Sequence, residues 1–158
     1  MIEHEVFMRI ALREAEEAYA LGEVPVGAVV VINGAVVARG HNLRESLSDA
    51  TAHAEIIALR EAARKLGDWR LGEATVYTTV EPCPMCAGAL VQFRVRKVIY
   101  GAKDPKAGAA GSVVNLLQDE RFNHQVEVVA GVLEAECREV VQRFFEGLRQ
   151  KAVEQKRA

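Results

Sequence analysis

Residues 75–100 read TVYTTVEPCPMCAGALVQFRVRKVIY, and they predict a strand, a helix and a second strand in close succession. Residues 75–80 and 95–100 are rich in valine, threonine and tyrosine, which favour strands. Pro84 suits the first position of a helix, which we expect to run to about Phe93. Because a strand, a helix and a strand in this order form a crossover unit, the two strands are expected to lie parallel in one sheet.

The rest of the chain extends this alternation of strands and helices. Two valine-rich runs, residues 24–32 and 35–40, are separated by Asn33-Gly34, which is a strong signal for a type I′ hairpin turn. Further helices are predicted at residues 3–20, 53–66, 113–117 and 134–150, and a last strand at residues 126–130. We therefore predict an α/β fold, a three-layer α/β/α sandwich whose five-stranded mixed sheet has an N-terminal antiparallel hairpin and helices on both faces.

Composition predicts a single globular domain. The chain has 158 residues, half of them hydrophobic, and we assign residues 1–151 to one domain and residues 152–158 to a frayed basic tail. The longest apolar run, residues 24–32, is too short to span a bilayer, and the acidic first 25 residues do not resemble a signal peptide. Three cysteines agree with a reducing compartment, so we expect a cytoplasmic protein with no membrane partner.

Cys83 and Cys86 have the spacing of two metal ligands. Pro82 and Pro84 place Cys83 at the N-cap of the predicted helix and Cys86 on its first turn. Positions i and i+3 share one helix face, so both sulfurs can point at the same ion. The helix N-terminus also favours negative charge and therefore thiolates. His53, at the start of the preceding helix, supplies a third candidate ligand.

Glu55 is expected to act as a base beside the metal. Residues i and i+2 of a helix lie about 200° apart, so His53 and Glu55 cannot both point straight at one ion. Three ligands and one spare carboxylate match a catalytic zinc site, in which a fourth coordination position stays open for water.

Other interpretations of the cysteine pair remain open. A lone Cys-x-x-Cys is more often a redox pair or half of a structural zinc site. A structural site needs a fourth protein ligand, and Cys137, the only other cysteine, lies in a helical pattern without a second ligand at suitable spacing. A redox pair leaves His53 and Glu55 unexplained, so the catalytic interpretation is favoured. A non-catalytic, zinc-stabilised binding module is the alternative from a different functional class.

Charge alone indicates no nucleic-acid partner. The net charge is −2, but two basic segments, residues 94–106 and 143–157, form either a local phosphate-binding rim or ordinary solvated faces. The loop at residues 101–112 follows a strand end, so it either borders the same site or is a connecting turn.

His-x-Glu followed by Pro-Cys-x-x-Cys is the signature of zinc-dependent base deaminases. The chain resembles the bacterial tRNA-specific adenosine deaminases of the cytidine/deoxycytidylate deaminase superfamily over nearly its whole length, to about Lys151. The resemblance is carried by residues 23–28, 41–42, 51–55, 81–89, 104–112, 123–124, 144–145 and 149. Ala50 departs from the family, in which proline is common there, and this affects only the loop before His53.

The resemblance implies an enzyme that hydrolytically deaminates adenosine to inosine at the wobble position of a tRNA anticodon. It implies the cytidine deaminase type of fold, one Zn²⁺ per subunit, a homodimer, and a tRNA anticodon stem-loop as partner. His53, Cys83 and Cys86 would hold the metal, and Glu55 would shuttle protons from zinc-bound water. The loop at 104–112 and the C-terminal aromatic helix favour RNA over the alternative, a free base, nucleoside or nucleotide deaminase of the cytosine, guanine or dCMP type.

The resemblance also implies a set of substrate contacts. The Ala54 amide and Asn42 would hold the base edge, and Val26 would supply an apolar wall. The RNA-binding set is completed by Asp104, Lys106, Asn123, Phe145 and Arg149. For Asn42 the alternative is simple strand termination, and for Phe144 and Phe145 it is packing into the core.

Overall fold

The computed structural model describes residues 2–157, in which four helices and five strands alternate. The elements are α1 (Ile2–Ala20), β1 (Gly27–Ile32), β2 (Ala35–His41), α2 (Ala54–Leu66), β3 (Ala74–Val80), α3 (Pro84–Gln92), β4 (Lys97–Ala102), β5 (Glu127–Ala130) and α4 (Glu134–Arg157).

One mixed sheet with the strand order β2-β1-β3-β4-β5 forms the middle layer. β1 is antiparallel to both β2 and β3, whereas β3, β4 and β5 are parallel to one another. The predicted fold class is therefore confirmed, including the parallel pair formed by the strands on either side of α3.

Alternation along each strand sorts side chains into two cores, because successive residues of a strand point to opposite faces of the sheet. Val76 and Val98 pack with α2 and α3 on one face. Tyr77 and Ile99 pack with α1 and with Cys137 of α4 on the other. The helices are thus divided in pairs between the two faces, which makes the three layers.

The hairpin turn has the predicted geometry. Asn33 and Gly34 both have positive φ, 51° and 76°, as a type I′ turn requires. The strand before it begins at Gly27, three residues later than the sequence predicted. Pro25 has no backbone N–H to donate, and residues 24–26 instead form a loop in which the Val26 N–H bonds the Val24 carbonyl.

Two other segments differ from the predictions. The short helix expected at residues 113–117 is absent, because the N–H groups of Val113 and Val114 bond back to the Gly108 carbonyl and Ala110 bridges Asn115. α4 continues through residues 152–157, where a frayed tail was expected; these residues are helical and exposed. Within residues 2–157, none of the helices combines the length and apolar character needed to cross a bilayer.

The topology brings the N-termini of α2 and α3 to the end of the sheet where β3 and β4 finish. β3 and β4 are parallel and end at Val80 and Ala102, and α3 begins just after β3. α2 packs so closely on β2 that a Cβ at Gly40 would lie 2.5 Å from the Ala54 carbonyl oxygen. Glycine at this position therefore permits the N-terminus of α2 to approach the end of the sheet.

Candidate active site

Cys83 and Cys86 occupy the start of α3 as the sequence predicted. Cys83 is the N-cap in an extended conformation, Pro84 is the first helical residue, and Cys86 is buried one turn along. The Cys-x-x-Cys spacing therefore places both sulfurs at a helix N-terminus, where the helix dipole favours thiolates.

His53 completes a cluster that matches a zinc site. It is the N-cap of α2, and its Nδ1 lies 3.6 Å from the Cys83 Sγ and 3.5 Å from the Cys86 Sγ. Zinc–ligand bonds of about 2.3 Å to sulfur and about 2.0 Å to nitrogen, at a tetrahedral angle, set nitrogen and sulfur about 3.5 Å apart. All three donor atoms lie within 4.8 Å of one another, so they can hold one metal ion.

The two cysteines titrate as a pair. The pKa of Cys83 is lowered to about 4, first because Cys86 hydrogen bonds to it and also because His53 lies beside it. The pKa of Cys86 is raised by the same hydrogen bond and by burial. Binding of a divalent cation by both sulfurs would therefore displace a proton mainly from Cys86.

Glu55 lies beside the three donors and is almost wholly buried, with 4% of its surface exposed. Burial raises its pKa to about 7, because the charged form is poorly solvated there; a hydrogen bond from its own backbone N–H and the charge of His53 partly oppose the rise. A carboxyl group with this pKa can both accept and return a proton near neutral pH.

A cavity of about 260 Å³ opens beside these residues. This volume is slightly below the range typical of sites for drug-sized molecules, so it suits one planar base more than a whole nucleotide. Its walls come from five parts of the chain: residues 24 and 26, 42 and 44, 53–55, 80–83, and 104–107. The lining residues are Val24, Val26, Asn42, Arg44, His53, Ala54, Glu55, Val80, Glu81, Cys83, Asp104 and Ala107.

Comparison with known proteins identifies the family. The profile of the MafB19-like deaminase family matches residues 2–149. A tRNA-specific adenosine deaminase of Bacillus subtilis is 56% identical over 151 residues, which cover 96% of this chain and 94% of the relative. This chain belongs to the tRNA-specific adenosine deaminase family.

Two solved structures are also similar to this deaminase. One, from a study of A-to-I editing by tRNA:A34 deaminases at the wobble position of transfer RNA, is 46% identical with a TM-score of 0.82 and covers 85% of this chain and 97% of its own. The other, a guanine deaminase of Bacillus subtilis, is 42% identical with a TM-score of 0.61 and covers 63% of this chain and 64% of its own.

Four of the expected substrate contacts of this deaminase line the cavity, namely Val26, Asn42, Ala54 and Asp104. Ala54 is the first residue of α2, so its N–H is one of those that the helix itself leaves without a partner. Asn42 also ends β2, since its Nδ2 donates to the Val24 carbonyl and its Oδ1 accepts from the Arg44 N–H. An amide side chain has two N–H groups and two acceptor positions, so Asn42 retains one of each for a ligand.

The other four expected contacts, Lys106, Asn123, Phe145 and Arg149, are exposed and do not line the cavity of this deaminase. Phe145 is 40% exposed, whereas its neighbour Phe144 is buried and packs edge-on against Tyr19. Of the two expected roles, core packing therefore applies to Phe144, whereas Phe145 lies at the surface, where it can contact a ligand.

The sequence analysis assigned no role to two buried carboxylates that border the site. Glu81 precedes the cysteine helix and accepts hydrogen bonds from residues 104, 110 and 112. Glu23 accepts hydrogen bonds from the N–H groups of Glu45 and Ser46 and from the Ser46 hydroxyl. Each carboxylate organises a loop beside the cavity; the sequence signals were an acidic residue next to an apolar run or strand and its place in segments 23–28 and 81–89, which carry the resemblance.

Proposed function

We propose that this chain removes the amino group of adenosine by hydrolysis, which gives inosine at the wobble position of a tRNA anticodon. The observation that carries the proposal is the meeting of His53, Cys83 and Cys86 at zinc-ligand separations with the buried Glu55 on the wall of a base-sized cavity. The membership of the family supports the choice of adenosine in tRNA, and a tRNA substrate supports a cytoplasmic location.

His53, Cys83 and Cys86 would hold one Zn²⁺ per subunit. One neutral imidazole and two thiolates balance the charge of the ion. When bound, zinc supplies Lewis acidity that lowers the pKa of water towards neutrality. Hydrogen bonds from Cys86 and His53 lower the pKa of Cys83, and the start of α3 favours negative charge on both sulfurs.

Glu55 would transfer the protons of the reaction. It accepts a proton from the attacking water, delivers it to the adenine ring nitrogen, and then assists departure of the amine. The new bond joins the water oxygen to C6 and the broken bond joins C6 to the exocyclic nitrogen. The products are inosine and ammonia, so no oxidant or further reactant is needed.

The target base must leave its stack to enter the cavity, since C6 cannot be reached inside a helix. We infer that Asn42 and the Ala54 N–H hold the base edge and that Val26 packs on its face. Asp104 borders the same mouth, while Lys106, Asn123, Phe145 and Arg149 are proposed to contact flanking nucleotides outside the cavity. An anticodon loop offers unstacked nucleotides for such contacts.

A free-base deaminase is the second candidate, because the guanine deaminase structure shares the fold at 42% identity. The deciding experiment incubates the zinc-loaded protein with an anticodon stem-loop that carries adenosine at the wobble position. A matched hairpin carries its only loop adenosine one position away, and free guanine and cytosine are assayed in parallel. Inosine only in the first hairpin supports the proposal; turnover of a free base without hairpin editing would reject it.

We propose that the chain is a homodimer, as its resemblance to the family implies. Exposed apolar side chains on the loop beyond the cavity mouth, Val113 at 56% and Val114 at 44%, offer surface that a second copy would cover. Light scattering of the purified protein at micromolar concentration should give twice the chain mass of 17.3 kDa. A single-chain mass that does not change with concentration would reject this assembly.

A further inference from the structure

The Glu81 carboxylate is the centre of the loop formed by residues 104–112. Its side chain is only 3% exposed. Oε1 accepts hydrogen bonds from the Asp104 N–H at 3.1 Å and the Ser112 hydroxyl at 2.5 Å. Oε2 accepts from the N–H groups of Ala110 at 3.0 Å and Ser112 at 3.1 Å. One buried side chain thus satisfies donors at both ends of the loop.

The loop is built tightly around this carboxylate. A Cβ at Gly108 would lie 2.4 Å from the Glu81 carboxyl carbon and 2.5 Å from the Asp104 carbonyl oxygen, so the chain passes against the carboxylate without room for a side chain. Residues 103–112 contain no helix and only an isolated bridge at Ala110. The hydrogen bonds to Glu81 therefore replace the regular backbone pairing that this loop lacks.

The same loop forms one wall of the cavity. Asp104 and Ala107 line it, as does Glu81 itself. The Asp104 side chain is also used within the loop, since its Oδ1 accepts from the N–H groups of Lys106 and Ala107. The position of this wall relative to the metal ligands is consequently set by the residue two places before Cys83.

We propose that Glu81 is a positioning residue, whose carboxylate holds the 104–112 loop in its substrate-binding conformation before RNA arrives. The proposal rests on the function proposed above and deepens it by assigning the control of the RNA-facing wall to one buried side chain. Binding to an ordered loop avoids the entropy cost of ordering it in the complex, so the benefit should appear mainly in KM.

Glu81→Gln is the sharpest perturbation, because the amide keeps the size of the carboxyl group but only one of its acceptor oxygens. If the new NH₂ group takes the Oε2 position, the N–H groups of Ala110 and Ser112 lose their acceptor. If it takes the Oε1 position, only the Asp104 N–H loses its acceptor, because the Ser112 hydroxyl can rotate and accept a hydrogen bond from the NH₂ group. The variant is therefore expected to release the Asp104 end of the loop first.

The test combines hydrogen exchange on the free, zinc-loaded protein with hairpin kinetics. In Glu81→Gln we expect the amides of residues 104–112 to exchange at least about 10-fold faster, consistent with the loss of a buried acceptor, while the amides of α2 keep their protection. We expect KM for the wobble-adenosine hairpin to rise roughly 10- to 100-fold with kcat within about threefold, and zinc content to stay at one per chain. Glu61→Gln is the matched control, because Glu61 is a partly exposed carboxylate of α2 that pairs with Arg64 and does not line the cavity, and it should leave all three quantities unchanged.

Two further variants keep the proposal testable should Glu81→Gln fold poorly. Ser112→Ala removes one exposed partner and should raise KM less than Glu81→Gln does. Gly108→Ala displaces the carboxylate from the loop side, and its effect should not add to that of Glu81→Gln, because both break the same contact.

The proposal would be overturned if Glu81→Gln showed the same loop exchange rates and the same KM as the wild-type protein. Loss of zinc with unchanged loop exchange would also overturn it, since Glu81 would then support the metal ligands instead. Absence of editing by the wild-type protein would reject the proposed function, whereas the exchange measurement would still decide whether Glu81 holds the loop.

Discussion

Replacing Glu55 by glutamine should separate catalysis from folding. Glutamine keeps the shape of the buried side chain but cannot take up and return a proton. General acid–base catalysis contributes about 10²- to 10⁴-fold, or roughly 3–5 kcal/mol of barrier. We therefore expect Glu55→Gln to lose at least about 100-fold in kcat on the wobble-adenosine hairpin, with zinc retained, because Glu55 is not among the three clustered donors.

The same substitution should stabilise the metal-free protein in a pH-dependent way. Burial raises the pKa of Glu55 from its usual 4.5 to about 7. A carboxyl group with a raised folded pKa contributes its full stability below pH 4.5 and loses it as pH rises through 7. A difference of about 2.5 pKa units corresponds to about 3 kcal/mol at pH 8 but under about 1 kcal/mol at pH 5. Glutamine does not titrate, so the variant avoids this loss.

Urea unfolding of chelator-treated wild type and Glu55→Gln between pH 5 and pH 8 measures the difference, alongside zinc analysis and inosine assays of the metal-loaded proteins. Comparing the two proteins at each pH cancels the titration of groups that they share. A variant that keeps more than a tenth of wild-type turnover would contradict the proton-transfer role and favour a zinc-stabilised binding module. An advantage equal at pH 5 and pH 8 would show that burial does not raise the pKa of Glu55.

Three further results are expected. Cys83→Ser should lose most bound zinc and all measurable editing, as followed by metal analysis and inosine formation; full zinc retention would remove Cys83 from the ligand set. Gly40→Ala should lower the free energy of unfolding, measured in urea, by about 1–3 kcal/mol, because its Cβ would lie 2.5 Å from the Ala54 carbonyl oxygen. Gly72→Ala is the control and should not lower it, because nothing lies within contact of a Cβ there. Equal effects of the two substitutions would refute the close-approach argument. Phe145→Ala should raise hairpin KM about 5- to 100-fold with little change in melting temperature; an unchanged KM would exclude stacking on RNA.

The positions of the candidate metal ligands in the helices were predictable because the signals are local. Cys83 and Cys86 share a helix face by their spacing, and Pro84 sets the start of that helix. His53 is the extended N-cap of α2 and Glu55 lies in its first turn, and the structure places Glu55 beside the three donors that it brings together.

Charge counting along the sequence was a weaker guide to the RNA surface. Arg143 was counted as part of a basic segment, but its guanidinium group bonds Glu16 at 2.8 Å and lies 4.7 Å from the centre of the Tyr19 ring. It therefore joins α4 to α1. Arg94 is likewise engaged, because its guanidinium group donates a hydrogen bond to the Val91 carbonyl.

Residues 113–117 were predicted to be helical from their apolar pattern, yet their backbone hydrogen bonds return to the loop around Glu81.

The sequence by itself determined the layered α/β fold and the helix start that holds Cys83 and Cys86, because helix and strand periodicities and proline positions act over a few residues. Only the tertiary structure decided which residues shape the cavity. Glu81 reaches residues 23 to 31 positions away, and Glu23 reaches residues 22 and 23 positions away. Hydrogen bonds from distant backbone N–H groups to a buried carboxylate follow no periodic sequence pattern, so only the three-dimensional structure shows them.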